Sequence, residues 1–306
     1  MPRIITALEE IAPAYHALFV DLWGCLHDGY RPFPAAVDAL RRYRAQAPEG
    51  GGHVILLTNS PRSRGGVMRQ LERIGVPREI HDDIASSGDA AQAAMLAGLV
   101  GTRVHHVGPV RDISFFEDVA EDIRADLPPD TPPILRVPLE EAEGIVLTGL
   151  EDDEHETPED YRARLLAARE RDLPLLCANP DLVVDRGDRR VWCAGAIARL
   201  YEEMGGKVFY FGKPNAPIYA LARRRLARVA GRRIPEEAIL AIGDGIATDI
   251  AGAIAAGLDT LFVTGGLAAE ATGTGPPPEG QPDPARLEAY LADRKCVPTY
   301  ALGHLR

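Results

Sequence analysis

Cysteine is scarce in this 306-residue chain, and the four present, Cys25, Cys177, Cys193 and Cys296, include no Cys-x-x-Cys pair. No two histidines stand at helical ligand spacing either, which argues against zinc and iron–sulfur centres. Buried free thiols in a reducing cytoplasm are the expected state, so the chain is read as cytoplasmic. No apolar run approaches the roughly eighteen residues of a membrane span, and no secretory hydrophobic region opens the chain. Basic residues are outnumbered, 34 Lys and Arg against 45 Asp and Glu, for a net charge of −11. A duplex binder needs a basic face, so nucleic acid is not an expected partner. An anionic ligand would instead need a local positive patch. No internal repeat is present.

What the chain does have is a set of short apolar runs that each end in polar, chemistry-bearing residues. Ala17 to Val20 is wholly apolar and stops at Asp21, followed by Leu22-Trp23-Gly24-Cys25-Leu26-His27-Asp28-Gly29. This pattern suits a buried parallel strand that delivers a carboxylate to a crevice at its C-terminal end. Val54-Ile55-Leu56-Leu57 is a second such run, ending in Thr58-Asn59-Ser60 ahead of a helix starting near 62–64. Hydroxyls, an amide and backbone N–H groups at that junction form an anion site. Val208-Phe209-Tyr210-Phe211 runs into Gly212-Lys213-Pro214-Asn215, placing a compact positive charge at a strand end. Ala238 to Ile242 runs into Gly243-Asp244-Gly245-Ile246-Ala247-Thr248-Asp249, whose carboxylates are hard oxygen ligands suited to Mg²⁺.

The order Asp21, Thr58, Lys213, then Gly-Asp-x-x-x-x-Asp at Asp244 and Asp249 resembles the motif order of the haloacid dehalogenase (HAD) superfamily of hydrolases. The strings LHDG, LLTNSPR, ANPDLVV and GKPN are similar to its NagD-like, type IIA branch, with p-nitrophenylphosphatases and sugar or nucleotide phosphatases as relatives. The resemblance spans 15–268. It implies an α/β fold: a Rossmann-like parallel-sheet core, 1–85 and 179–306, interrupted by an α/β type II cap, 86–178. It also implies an Mg²⁺-dependent hydrolase of a small phosphorylated metabolite. Asp21, Thr58 and Lys213 would be catalytic. Asp21, the Trp23 backbone carbonyl, Asp244 and Asp249 would hold the metal. Trp23, Asn59, Ser60, Asn179 and Asp181 would meet substrate. The branch's caps allow a homodimer. The missing membrane span sets the chain apart from the transporting ATPases that share this chemistry.

One position departs from the pattern. Family phosphatases carry a second Asp two residues after the nucleophile, which protonates the leaving alkoxide, and here that residue is Trp23. An indole N–H donates a hydrogen bond but does not exchange a proton at useful pH. Trp23 either packs against its neighbours or walls the leaving-group pocket. Two further readings follow from its presence: a phosphometabolite binder with little turnover, or hydrolysis of a phosphonate or C–halogen bond.

Other features have plainer readings. Cys25, near Asp21, reads as packing, and His27 and Asp28 as turn residues before Gly29. Arg62 and Arg64 read as first-turn surface residues that would also supply positive charge. The acidic run 151–156 precedes Thr157-Pro158 and reads as a solvated helix start. His105 and His106 point to opposite faces of a strand and so would not chelate one ion. Helices are expected over 89–99, 158–169, 194–204, 216–228 and 284–293, and strands over 103–107, 144–148, 174–177 and 260–263, with the helix at 194–204 belonging to the resumed core. The segments 128–138 and 273–284 read as loops, the second long enough to be mobile.

Overall fold

Ala17–Val20 forms a strand buried at every residue, as a strand covered on both faces must be. In the computed structural model, which describes residues 1–186 and 189–306, this strand lies in a seven-stranded sheet. The order is Arg3–Ile4, Tyr300–Leu302, Asp259–Val263, Ile239–Gly243, Ala17–Val20, His53–Thr58 and Asp83–Ser86. The central pairs run parallel, with Val20 opposite both Ile242 and Leu56. From Ala17–Val20 the chain moves to His53–Thr58 and Asp83–Ser86 on one side, and later returns to Ile239–Gly243 on the other. The strand order therefore reverses between Ala17–Val20 and Ile239–Gly243, the switch point of a doubly wound α/β sheet.

The helix Pro34–Gln46 begins with proline in its first turn and buries Ala36, Val37, Leu40 and Tyr43, one face of a helical period. At the sheet's far side, the Arg44 guanidinium grips the Asp82 carboxylate through two 2.8 Å hydrogen bonds. Asp82 also accepts from the Val54 N–H at 2.8 Å, which fixes the start of a central strand.

The chain divides into two units, the first being Met1–Thr58, Gln70–Ala85 and Tyr219–Arg306, and the second Asn59–Arg69 and Ser86–Ile218. The second holds a five-stranded parallel sheet, ordered Val208–Tyr210, Leu175–Cys177, Gly144–Leu147, Arg103–Val107 and Leu135–Arg136. Two antiparallel strands, Val183–Arg186 and Arg189–Trp192, accompany it. Its core joins Ile145, Leu147, Leu175 and Cys177 to Leu165, Ala168, Ile197 and Tyr201.

The expected division at 85/86 and 178/179 is corrected in two respects. Strand Val208–Tyr210 and helix Ala194–Glu203 lie in the second unit: Tyr210 pairs with Cys177, and the helix buries Ala194, Ile197, Ala198 and Tyr201 in that unit's core. Residues 59–69 also join the second unit. A three-residue apolar strand carries no sign of which sheet it will complete, so the sequence left this open to error.

The segment 128–138, expected as loop, contains the short strand Leu135–Arg136 paired with Arg103 and Val104. Within 273–284 the chain is tied down: Gln281 donates to the Ile5 carbonyl at 3.0 Å and accepts from the Gly303 N–H at 2.9 Å. His105 and His106 do have separate partners, the Val137 carbonyl and the Thr148 hydroxyl. In the acidic run, Asp153 pairs with Arg111, Glu151 with Arg164 and Asp152 with His155, as befits a solvated helix start.

His27 and His81 are buried in the first unit, and burial holds each imidazole at a pKa of about 4, with Arg78 reinforcing the shift at His81. An unfolded histidine titrates near 6.5, about two units or more higher. Below that pH the unfolded chain binds protons the folded chain refuses, so stability falls as pH drops from about 6.5 toward 4. The loss from pH 7 to pH 5 is on the order of 1–2 kcal/mol per histidine. Thermal unfolding at the two pH values should show a smaller drop in Tm for His81→Asn than for wild type. Equal drops would contradict the assignment.

Candidate active site

Parallel register brings the strand ends of the first unit level. Asp21 continues the ladder by donating its N–H to the Ile242 carbonyl at 2.9 Å, and Asp244 follows Gly243, the last residue of the neighbouring strand. Both carboxylates thus stand at the switch point, Asp21 7% and Asp244 6% exposed. Thr58, 1% exposed, ends the strand on the other side of Ala17–Val20.

Among the described residues, one cluster of potential metal-ligand atoms exists: an oxygen of Asp21, an oxygen of Asp244 and the Cys25 sulfur, all within 4.8 Å of one another. Two carboxylates that close disfavour each other's ionisation, and a divalent cation between them would reverse that penalty. Their oxygen chemistry fits a hard cation such as Mg²⁺, while the thiol is a softer donor. Cys25 is buried as expected, but it belongs to this cluster as well as to the packing. Asp249 is not one of the three. Its Oδ2 accepts from the Gly245 N–H at 3.1 Å and the Thr248 hydroxyl at 3.3 Å, which bends the turn that carries both acids.

The Asp244 carboxylate is enclosed by backbone. The Leu267 N–H donates to its Oδ2 at 3.0 Å. A Cβ on Gly266 would lie 2.0 Å from Oδ2, and one on Gly24 would lie 2.1 Å from the same atom. Gly24 also has φ of +74°, a conformation that side chains resist. The Gly24 and Gly265-Gly266-Leu267 contributions were not anticipated from sequence. The signal was a glycine pair just beyond the strand Asp259–Val263, at the same sheet edge.

Trp23 is half-buried within its own loop. Its ring meets the His27 imidazole edge-on, centroids 5.1 Å apart, and lies against Gly29, where a Cβ would come within 2.4 Å of it. This is the packing role expected of a large aromatic. Both polar neighbours, His27 and Asp28, are deprotonated at neutral pH. His27 Nδ1 accepts from the Gly29 N–H at 3.0 Å, and burial keeps the ring neutral, at a pKa of about 4. Burial raises the Asp28 pKa, but the N–H groups of Tyr30 and Arg31 outweigh it and hold the carboxyl below its ordinary range.

The remaining expected site residues lie in the second unit. Asn59 bonds to Asp181 and to the main chain of Lys213, which is 2% exposed. Asn179 Oδ1 accepts from the Asp181 N–H at 3.0 Å, closing the turn that composition predicted. The Ser60 hydroxyl accepts from the Arg62 N–H at 3.3 Å and its carbonyl from the Gly88 N–H at 3.0 Å. Arg64 caps onto Asp89 through its own N–H at 2.9 Å.

Comparisons with known proteins place the chain in a family. A family model described as haloacid dehalogenase-like hydrolase matches residues 18–120, and one described as HAD-hydrolase-like matches 210–288. A solved structure of a haloacid dehalogenase-like family hydrolase from Brucella suis 1330 is 37% identical, covers 100% of both chains and has a TM-score of 0.82. A possible sugar phosphatase of the HAD superfamily from Cytophaga hutchinsonii is 20% identical over 99% of this chain and 98% of its own, with a TM-score of 0.73. A 4-nitrophenylphosphatase from Thermotoga maritima is 18% identical over 95% of each chain, with a TM-score of 0.64. No curated protein sequence matches. The chain belongs to the haloacid dehalogenase-like family and is a hydrolase. Among the described residues, no helix is long and apolar enough to cross a membrane.

Gly24→Ala and Gly266→Ala should each displace the Asp244 carboxylate. Disturbing the support of a ligand costs about 10- to 100-fold in metal affinity. Mn²⁺ titration followed by electron paramagnetic resonance should show that loss in both variants, and unchanged affinity would mean Asp244 is not a ligand.

Proposed function

We propose that the chain is an Mg²⁺-dependent phosphatase of small phosphate monoesters. The observation that carries this reading is the pairing of Asp21 with Asp244 at the switch point, both buried and both at the carboxyl edge. The oxygen donors support a hard divalent ion held by Asp21, Asp244 and the Trp23 carbonyl, with Asp249 ligating directly or through water. Such an ion supplies positive charge that lets an anionic nucleophile approach an anionic phosphate.

In this mechanism an Asp21 oxygen attacks phosphorus, the bond from phosphorus to the leaving oxygen breaks, and an aspartyl phosphate results. Water then attacks phosphorus, the bond to Asp21 breaks, and inorganic phosphate leaves with the carboxylate restored. Thr58 and Lys213 neutralise the equatorial oxygens, so catalysis is largely positioning and electrostatics. The second unit acts as a cap that excludes water and selects substrate, with Asn179-Pro180-Asp181 at the substrate or hinge. The leaving alkoxide takes its proton from water, because Trp23 has none to give and His27 and Asp28 are both unprotonated at neutral pH. The consequence is a preference for esters whose leaving group needs little protonation.

Trp23 also favours a second reading, a phosphometabolite binder with little turnover. Phosphate release from sugar phosphates, nucleoside monophosphates and p-nitrophenyl phosphate, with and without Mg²⁺, separates the two. The phosphatase reading expects Mg²⁺-dependent release, strongest for the nitrophenyl ester and lost in Asp21→Asn. It also expects Trp23→Asp to speed unactivated esters by about 10²- to 10⁴-fold, the contribution of a general acid. No release from wild type, but release from Trp23→Asp, would establish the binder instead.

A further inference from the structure

We infer that Asn59 is a positioning residue for Lys213 rather than a substrate contact. Its side-chain amide forms a closed pair with the Lys213 main chain, N–H and carbonyl together. Asn59 Oδ1 accepts the Lys213 N–H at 2.7 Å, and Nδ2 donates to the Lys213 carbonyl at 3.1 Å. The second Nδ2 hydrogen goes to Asp181 Oδ1 at 2.8 Å. A primary amide has two donor hydrogens and two acceptor lone pairs, so three of its four bonds are already committed. With Asn59 only 4% exposed, little of it is left to meet a ligand. The site is also sterically closed: a Cβ on Gly212 would come within 2.4 Å of Asn59 Oδ1.

The chemistry of these bonds accounts for the residue type. The Lys213 backbone demands an acceptor and a donor side by side, and Asp181 demands a further donor. An amide meets all three. Alanine meets none and leaves a buried N–H unpaired, a cost of about 1–3 kcal/mol. Aspartate is the same size but turns an acceptor toward the Lys213 carbonyl and a negative charge toward Asp181. Lysine carries its charge on a long flexible stem, so where the ammonium sits depends on how firmly its Cα is held. Asn59 holds both the N–H and the carbonyl that flank that Cα, and Asp181, itself held by the Asn179 turn, anchors Asn59.

This inference rests on the proposed phosphate-binding role of Lys213, and its test has an arm that needs no turnover. Affinity for inorganic phosphate in the presence of Mg²⁺ is measured by calorimetry for wild type, Asn59→Ala, Lys213→Met and the double variant. Asn59→Ala should weaken binding about tenfold, the scale of a lost hydrogen bond to a charged group. In the Lys213→Met background the same change should cost nothing further, because the group it positions is gone. A residue that merely props the fold, or that touches phosphate itself, would cost the same in both backgrounds, and that result overturns the inference. If Asn59→Ala does not fold, Asn59→Asp completes the same cycle with the same expectation. Phosphate release from p-nitrophenyl phosphate is the second arm. Wild type that binds phosphate but releases none would remove the phosphatase reading and leave the cycle to judge Asn59. Wild type that does not bind phosphate would overturn both.

Discussion

Two carboxylates, each less than a tenth exposed, converge within 4.8 Å at the edge of a parallel sheet, and the first unit is arranged around that constraint. Like charges at this separation in a poorly hydrated place are costly unless positive charge or N–H groups face them. The sheet register makes the convergence unavoidable, since Val20 sits opposite Ile242 and the acids follow one and two residues later. The Leu267 N–H then faces Asp244, while the Gly245 N–H and Thr248 hydroxyl on Asp249 shape the turn that carries Asp244. Glycine at 24 and 266 leaves the space the Asp244 carboxylate occupies.

Lys213 and Asn59, the cation and the amide named from sequence, both belong to the second unit. The boundary falls between Thr58 and Asn59, so one motif contributes a hydroxyl to the first unit and an amide to the second. In the second unit that amide is spent on main-chain geometry. The Trp23 ring packs edge-on to His27 and against Gly29, filling the space within its own loop. Within the loop, His27 and Asp28 are both deprotonated at neutral pH, His27 through burial and Asp28 through the N–H groups of Tyr30 and Arg31.

Much of the fold was legible because a buried parallel strand leaves a plain mark: a short apolar run that stops abruptly at polar residues. Ala17–Val20, His53–Thr58 and Ile239–Gly243 read correctly on that basis, and their ends gave Asp21, Thr58 and Asp244. Val208–Tyr210 bears the same mark but completes the other sheet, because pairing with Leu175–Cys177 is a long-range choice. The strand Tyr300–Leu302 is too short to show a period, and it gains its place by pairing between Arg3–Ile4 and Asp259–Val263. Cys25 and Asn59 were named, yet their roles depended on partners far along the chain: Asp244 for one, Asp181 and Lys213 for the other. Composition cannot carry that information. Resemblance of motif order named the candidate residues, while the geometry set the Asn59 amide against the Lys213 main chain.

The central claim is that Asp21 is the nucleophile. It is tested most directly by quenching the enzyme in acid during turnover of p-nitrophenyl phosphate, reducing with borohydride and mapping peptides by mass spectrometry. An aspartyl phosphate is an acyl phosphate and is reduced to homoserine, whereas a free carboxylate is not. The account predicts homoserine at position 21 and nowhere else. Turnover with position 21 still aspartate, or homoserine at another carboxylate, would contradict it.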